Sequence, residues 1–198
     1  MNEVFVSDLL VEIIGAVTGL IYLYFSIRQN IWLWPWGIIT SLIYVYVFFN
    51  AKFYADMSLQ FYYLGISIYG WFFWRSVQRS DRKKLSSVVR ASSVEWIVFV
   101  SVTILLTWVF GYGLDNFTDS PLPFWDAFTT AGSVVATWML ARKYLEHWLF
   151  WIVIDIVSLG TYIYKGLYPT VVLFSVYSAM AAIGYFQWKK ELMQKTPI

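Results

Sequence analysis

Long runs of apolar residues separated by short polar breaks occupy almost the whole chain. A run of about 17 to 25 apolar residues matches a helix that crosses the roughly 30 Å hydrocarbon core of a bilayer. The pattern predicts seven transmembrane helices, at residues 9–27, 32–49, 55–74, 94–113, 124–141, 147–164 and 168–188. Because the first run follows Glu3 and Asp8 rather than a basic segment, we interpret it as a retained helix and not as a signal peptide.

The composition supports this interpretation. Of the 198 residues, 60% are hydrophobic and only 13% are charged, which is more apolar surface than a soluble domain of this size can bury. The chain has no cysteine, so disulfides and thiolate metal sites are excluded. Since no glycine-rich phosphate loop or nucleophile elbow is present either, we expect no enzyme, no ATP-driven pump and no cofactor.

The basic residues are distributed unevenly among the predicted loops. Residues 75–93 carry six of them, and a basic loop between two spans stays on the cytoplasmic side rather than binding nucleic acid. Of the 14 Lys and Arg residues, 12 then fall on the inner side and only Lys52 and Lys165 on the outer side. The sequence therefore predicts a protein of the bacterial inner membrane with its N-terminus outside and its C-terminus in the cytoplasm.

The chain also contains a weak internal repeat. A shift of 114 residues superimposes three predicted helices on three others, with charges of the same sign at their ends. The matched pairs are Glu12/Asp126, Arg28/Arg142, Trp34/Trp148, Tyr54/Tyr168, Tyr63/Tyr177, Gly70/Gly184, Phe72/Phe186, Trp74/Trp188 and Arg75/Lys189. The alternative is a coincidence in a sequence rich in Trp and Tyr.

The repeat predicts an all-α membrane protein with a 3+1+3 arrangement in a single transmembrane domain, 1–198. The repeats cover about 9–75 and about 124–189, and a linker helix at about 94–113 joins them. An odd repeat followed by an odd linker leaves both repeats pointing the same way, which is the parallel plan of small sugar carriers. Substrate sites in such carriers lie near the bilayer midplane, between the repeats.

Polar side chains inside the spans are few, and such residues mark a substrate pathway by default. Helical spacing places them, with aromatic residues, on one face of each of three spans. These faces consist of His147, Trp151, Asp155 and Ser158 on the sixth span, Gln60, Ser67, Trp71 and Trp74 on the third, and Thr130, Ser133 and Thr137 on the fifth. We expect the three faces to line a cavity.

Two aromatic walls and one carboxylate in mid-span suit a flat, positively charged heteroaromatic solute. Stacking and cation–π contacts each contribute roughly 0.5 to 2 kcal/mol, and Asp155 would balance the charge. Alternatively, most aromatic side chains serve packing or form an interfacial belt, and Asp155 pairs with a serine or backbone group of another helix. A single histidine does not predict a metal site.

Five motifs in two segments, 28–74 and 125–168, resemble the PnuC family of bacterial vitamin transporters. They are WPWG, YADMSLQ, YGWFFW, ARKYLEHW and YKGLY, in this order. The resemblance covers most of the chain and implies a seven-helix core like that of the SWEET sugar carriers. It also implies facilitated diffusion of an unphosphorylated vitamin, which a cytoplasmic kinase then traps.

The resemblance leaves the vitamin open. Family members carry nicotinamide riboside, and relatives carry thiamine or riboflavin. In the nicotinamide riboside branch an Asn and the following tryptophans contact the ligand, and these positions correspond to His147 and Trp151. The tryptophan matches, but neutral His offers a carboxamide one donor and one acceptor from a ring of different reach. Nicotinamide riboside is the first expectation, with thiamine or riboflavin as alternatives.

The opposing wall of the site is expected from Gln60, Trp71 and Trp74, unless the two tryptophans lie at the interface or hold helices together. Two other functions fit the sequence less well. A membrane sensor would need an output domain, and an ion-coupled symporter would need more carboxylates in its spans. The sequence leaves the oligomeric state open.

Overall fold

A computed structural model of the protein describes residues 14, 17–50, 54–79 and 88–194. The chain divides into two compact units, Met1–Leu85 and Ser86–Ile198. The described part contains seven helices and no strand. The helices are α1 (Val17–Ile27), α2 (Leu33–Asn50), α3 (Tyr54–Arg79), α4 (Ser93–Phe117), α5 (Pro123–Ala141), α6 (His147–Tyr164) and α7 (Tyr168–Gln194). The predicted all-α architecture is confirmed.

The predicted spans and the observed helices differ mainly at their ends. The bounds of α6 are those predicted, whereas α3 continues to Arg79 and α7 to Gln194. An apolar run marks the part of a helix that lies in hydrocarbon, but the hydrogen-bonded backbone continues into the polar residues that follow. The predicted start of the first span, the centre of the basic loop and Lys195 lie outside the described residues.

Among the described residues, three helices are long and apolar enough to cross a membrane, namely Ser93–Phe117, His147–Tyr164 and Tyr168–Gln194. Val17–Ile27 and the part Leu33–Tyr46 of α2 are shorter apolar helical segments. The helix α4 exposes large apolar side chains along its length, among them Ile97, Leu105, Trp108 and Tyr112. Such a surface is stable against lipid and not against water.

In the first unit, a pair of tryptophans joins α2 to α3. Trp34 and Trp74 are fully buried, and their rings meet edge to face with centroids 5.5 Å apart. Gly70 lies one helical turn before Trp74, and a Cβ atom at this glycine would stand 2.4 Å from the Trp34 ring. The close packing of α2 and α3 therefore depends on a glycine at position 70.

The second unit repeats this arrangement. Trp148 of α6 and Trp188 of α7 meet edge to face at 5.8 Å, and a Cβ atom at Gly184 would stand 2.5 Å from the Trp148 ring. The residues before α2 and α6 also match, because Gln29 and Lys143 both adopt positive φ angles, of 50° and 61°. The members of each pair are 114 residues apart. The Trp34/Trp148, Gly70/Gly184 and Trp74/Trp188 pairs of the sequence repeat therefore have the same local packing in both units.

The linker helix α4 packs against α5 within the second unit. Its first turn is stabilised by a capping box, in which the Glu95 N–H donates to Ser92 Oγ and the Ser92 N–H donates to Glu95 Oε2. Residues 88–92, which we call the strap, precede the helix. The Val89 N–H donates to the Lys143 carbonyl over 2.9 Å, and the Leu145 N–H donates to the Val89 carbonyl over 2.8 Å. The strap is thus joined to the α5–α6 turn.

Candidate functional site

The polar face of α6 begins at His147, the first residue of the helix. His147 is fully buried, and its Nδ1 lies 2.6 Å from the carbonyl oxygen of Tyr144. Since a carbonyl can only accept a hydrogen bond, the network places the proton of the neutral ring on Nδ1. The other nitrogen, Nε2, is left as an acceptor.

Two tryptophans enclose the imidazole. The ring centroid of His147 lies 4.4 Å from that of Trp148 and 4.7 Å from that of Trp188. Among the described residues, neither His147 Nε2 nor the indole nitrogen of Trp148 has a hydrogen-bond partner. A buried polar group without a partner costs about 1 to 3 kcal/mol. Each atom would therefore gain a hydrogen bond from a water molecule or solute that reached it.

The face continues along α6 through Trp151, Asp155 and Ser158. Trp151 is half-buried, while Asp155 and Ser158 are only 4% and 5% exposed. No hydrogen bond or ion pair joins Asp155 to another described residue, so the alternative of a pairing with a neighbouring helix is not observed in this part of the chain. A carboxylate in this setting lacks the partner that burial requires.

The face predicted on α5 has its hydroxyl groups bonded to its own helix. Thr137 is buried and donates to the Ser133 carbonyl, and Ser133 donates to the Thr129 carbonyl, each over 2.7 Å. These donors are used by the backbone. The Thr137 hydroxyl can still accept a hydrogen bond.

The remaining predicted residues lie in the first unit, on α3. Gln60 is partly buried, and Trp71 is half-buried with its ring edge to face with Trp32 at 6.3 Å. Trp74 has no exposed surface and packs on Trp34. Trp74 therefore has a packing role in the first unit, which was the alternative considered for it, and Trp188 has the same role in the second.

The repeat relates the polar face of α6 to a face of α2 that the sequence analysis did not single out. At the same spacing, α2 carries Leu33, Gly37, Ser41 and Tyr44. A Cβ atom at Gly37 would stand 2.7 Å from Ser67 Oγ and 3.2 Å from the ring of Tyr22. A shift of the α6 face by the repeat offset would have found this corner of α1, α2 and α3 from the sequence.

At the other end of α6, an ion pair connects this helix to α5. Lys165 Nζ lies 3.1 Å from Asp126 Oδ1, and the Ser120 hydroxyl donates to Asp126 Oδ2 over 2.7 Å. Both charged side chains remain about a third exposed, at 27% and 32%. An ion pair with this exposure contributes little to stability.

Comparison with known proteins identifies the family of this chain. The model of the nicotinamide mononucleotide transporter family matches residues 9–190. The chain belongs to this family. It is a family of transporters and not of enzymes, and with the apolar helices it makes the protein a multi-pass inner-membrane transporter. The resemblance to the PnuC family that the five motifs indicated is confirmed.

Several characterised relatives are similar over most of their length. The nicotinamide riboside transporter PnuC of Escherichia coli (strain K12) is 24% identical, with 90% of this chain and 84% of the relative covered. The protein of that name from Neisseria mucosa is 25% identical over 94% of this chain and 74% of the relative. The riboflavin/roseoflavin transporter RibM of Streptomyces davaonensis is 22% identical, with coverage of 89% and 83%.

A solved structure has the same fold. The crystal structure of the vitamin B3 transporter PnuC superimposes with a TM-score of 0.74 at 24% identity, covering 98% of this chain and 86% of that chain. The seven-helix transporter architecture expected from the sequence is therefore shown for this protein.

Proposed function

We propose that this transporter carries nicotinamide riboside into the cytoplasm by facilitated diffusion. Relatives named for that substrate support the proposal. The observation that carries it is Asp155, which is buried and has no partner among the described residues, on the same helix face as Trp151. A buried carboxylate is stabilised by a cation, and the pyridinium ring of nicotinamide riboside is a permanent cation that stacks on indole.

His147 supports a second contact with this substrate. Its Nε2 is a buried acceptor without a partner in the described residues, and a carboxamide NH₂ is a donor. We therefore propose that His147, Trp151 and Asp155 bind the substrate, with Ser158 and Thr137 as further hydroxyl contacts. In the first unit, Gln60 and Trp71 stay predictions from the sequence, and Trp74 packs against Trp34.

Thiamine is the second candidate, because it combines a cationic thiazolium ring with an amino group that can donate to His147 Nε2. Riboflavin, the substrate in the name of RibM, is neutral. It would leave the charge of Asp155 without a partner. The chemistry of α6 thus favours a cationic vitamin over a neutral one.

The remaining parts of the proposal concern the cellular setting. We propose that the C-terminus is cytoplasmic, since Lys189, Lys190 and Lys195 follow the last apolar run. A kinase in the cytoplasm would phosphorylate the vitamin and keep the gradient of the free form directed inward. No ion gradient is required for this cycle.

Calorimetric titration of the detergent-purified protein tests the proposal. We expect saturable binding of nicotinamide riboside, and none of its phosphorylated form, whose negative charge opposes Asp155. Asp155→Asn should weaken binding about tenfold or more, because it removes the charge and keeps the shape. Asp126→Asn is the matched control, as its carboxylate pairs with Lys165 at the end of the helix. Equal affinity in both variants would reject Asp155 as the counter-ion, and binding of riboflavin alone would reject the cationic substrate.

A further inference from the structure

The carboxylate of Glu146 joins the strap to the beginning of α6. Its Oε2 accepts the Ala91 N–H over 2.9 Å, and its Oε1 lies 3.9 Å from Arg90 Nε. The Glu146 side chain is only 7% exposed, whereas that of Arg90 is 70% exposed. Since an exposed ion pair is weak, the bond to the backbone of the strap is the main contact of this carboxylate.

Glu146 also lies immediately before His147. Its own carbonyl accepts the first hydrogen bonds of α6, from the N–H groups of Leu149 and Phe150 over 3.0 and 3.2 Å. Glu146 thus connects the strap, through its side chain, with the first turn of α6, through its carbonyl. A displacement of this residue displaces the adjacent imidazole.

A second connection reaches His147 through Tyr144. Tyr144, whose carbonyl accepts from His147 Nδ1, donates its phenol proton to Glu95 Oε1 over 2.5 Å. Its ring packs edge to face on Phe99 at 5.2 Å. Burial and the bond to Glu95 raise the pKa of Tyr144, so the phenol stays protonated at neutral pH and remains a donor.

The first unit has no such arrangement among its described residues. The counterpart of Glu146 is Trp32, which is 56% exposed, and the counterpart of His147 is Leu33. A leucine side chain has no polar atom that must point in a given direction. An imidazole that offers one nitrogen to a solute must be held in one orientation and one tautomer. The strap is therefore present in the unit that carries the histidine.

We propose that Glu146 is a positioning residue for substrate selection, which holds the imidazole of His147 in place through the strap. This inference rests on the proposed function, because it gives His147 a contact with the substrate. Glu146 itself touches no substrate. It acts through the position of its neighbour.

A double-mutant cycle on the full-length protein tests the inference, with the affinity for nicotinamide riboside measured by calorimetric titration. We expect Glu146→Ala to weaken binding about tenfold in the otherwise unchanged protein. In the His147→Leu background the same substitution should change the affinity less than twofold. Glu146→Gln keeps an oxygen for the Ala91 N–H, so it should restore the affinity to within about threefold.

The controls separate positioning from general stability. Lys165→Ala breaks the ion pair at the other end of α6 and should leave the affinity within twofold. If Glu146→Ala does not fold, Ala91→Pro removes the donor of the same hydrogen bond and takes its place in the cycle. Equal losses from Glu146→Ala in both backgrounds would overturn the inference and leave the proposed function standing. An unchanged affinity in His147→Leu alone would overturn the inference together with the substrate contact proposed for His147, whereas no binding of nicotinamide riboside by the parent protein would overturn the proposed function.

Discussion

The two units have the same tryptophan pairs but differ on the helix face beside them. The pairs Trp34/Trp74 and Trp148/Trp188 meet at 5.5 and 5.8 Å, with ring planes 88° and 87° apart. On the adjacent face, Leu33, Gly37 and Ser41 of α2 stand where α6 has His147, Trp151 and Asp155. The packing contacts are repeated while the polar and aromatic side chains of the adjacent face are not, which supports the proposal that the binding face lies on α6.

The largest expected effect concerns the glycine–tryptophan packing that occurs in each of the two units. Gly70→Ala and Gly184→Ala each place a Cβ atom about 2.5 Å from an indole ring. Overpacking of this kind costs about 1 to 3 kcal/mol or more, so thermal unfolding in detergent should show a large loss of stability in both variants. Gly65→Ala and Gly160→Ala are matched controls, because a Cβ atom at either position meets nothing within 4 Å. Similar unfolding temperatures in all four would show that the glycines are not required.

The next largest effect is expected from Trp151→Ala, which tests the difference between the two units. The variant removes the indole ring, which has no counterpart in the first unit because Gly37 occupies the equivalent position. We expect it to weaken binding of nicotinamide riboside by about 1 to 2 kcal/mol, measured by titration. Trp138→Ala, at an exposed position of α5, is a control that should not change the affinity. An equal loss in both would mean that Trp151 acts through stability.

His147→Leu gives the second unit the residue of the first. The exchange removes a buried acceptor without a partner but also the hydrogen bond from Nδ1–H to the Tyr144 carbonyl. These two effects oppose each other, so stability should change by about 1 kcal/mol or less. Affinity for the vitamin should fall about tenfold, because the donor of the substrate loses its acceptor. Thermal unfolding and titration of the same sample measure the two effects. A large loss of stability with normal affinity would assign His147 to packing alone.

Arg90→Ala has the smallest expected effect. The guanidinium is mostly exposed and lies 3.9 Å from Glu146, and exposed ion pairs contribute about 0 to 1 kcal/mol. We expect an unchanged affinity and an unfolding temperature within a few degrees of the parent protein. A loss as large as that of Glu146→Ala would show that the ion pair, and not the bond to the Ala91 N–H, holds the strap.

Some features of the two units could be predicted from the sequence and others could not. The bounds of α6 followed from its apolar run, and the repeat offset matched Trp34 with Trp148 before any contact was known. The burial of Trp74 against Trp34 could not be predicted from the sequence of α3. That sequence alone was compatible with Trp74 lining the site, lying at the membrane interface or packing between helices. Gly37 was missed because a glycine has no side chain that marks a polar face.

The sequence by itself determined the number of helices, their spans and the transporter family. Each span follows from about 20 consecutive residues, because transfer of an apolar run into hydrocarbon depends on local composition. Only the tertiary structure decided that His147 is enclosed by Trp148 and Trp188 and that Glu146 holds the strap. These contacts join residues far apart in the chain, such as Ala91 and Glu146 at a separation of 55, and hydropathy carries no information about which helix faces meet.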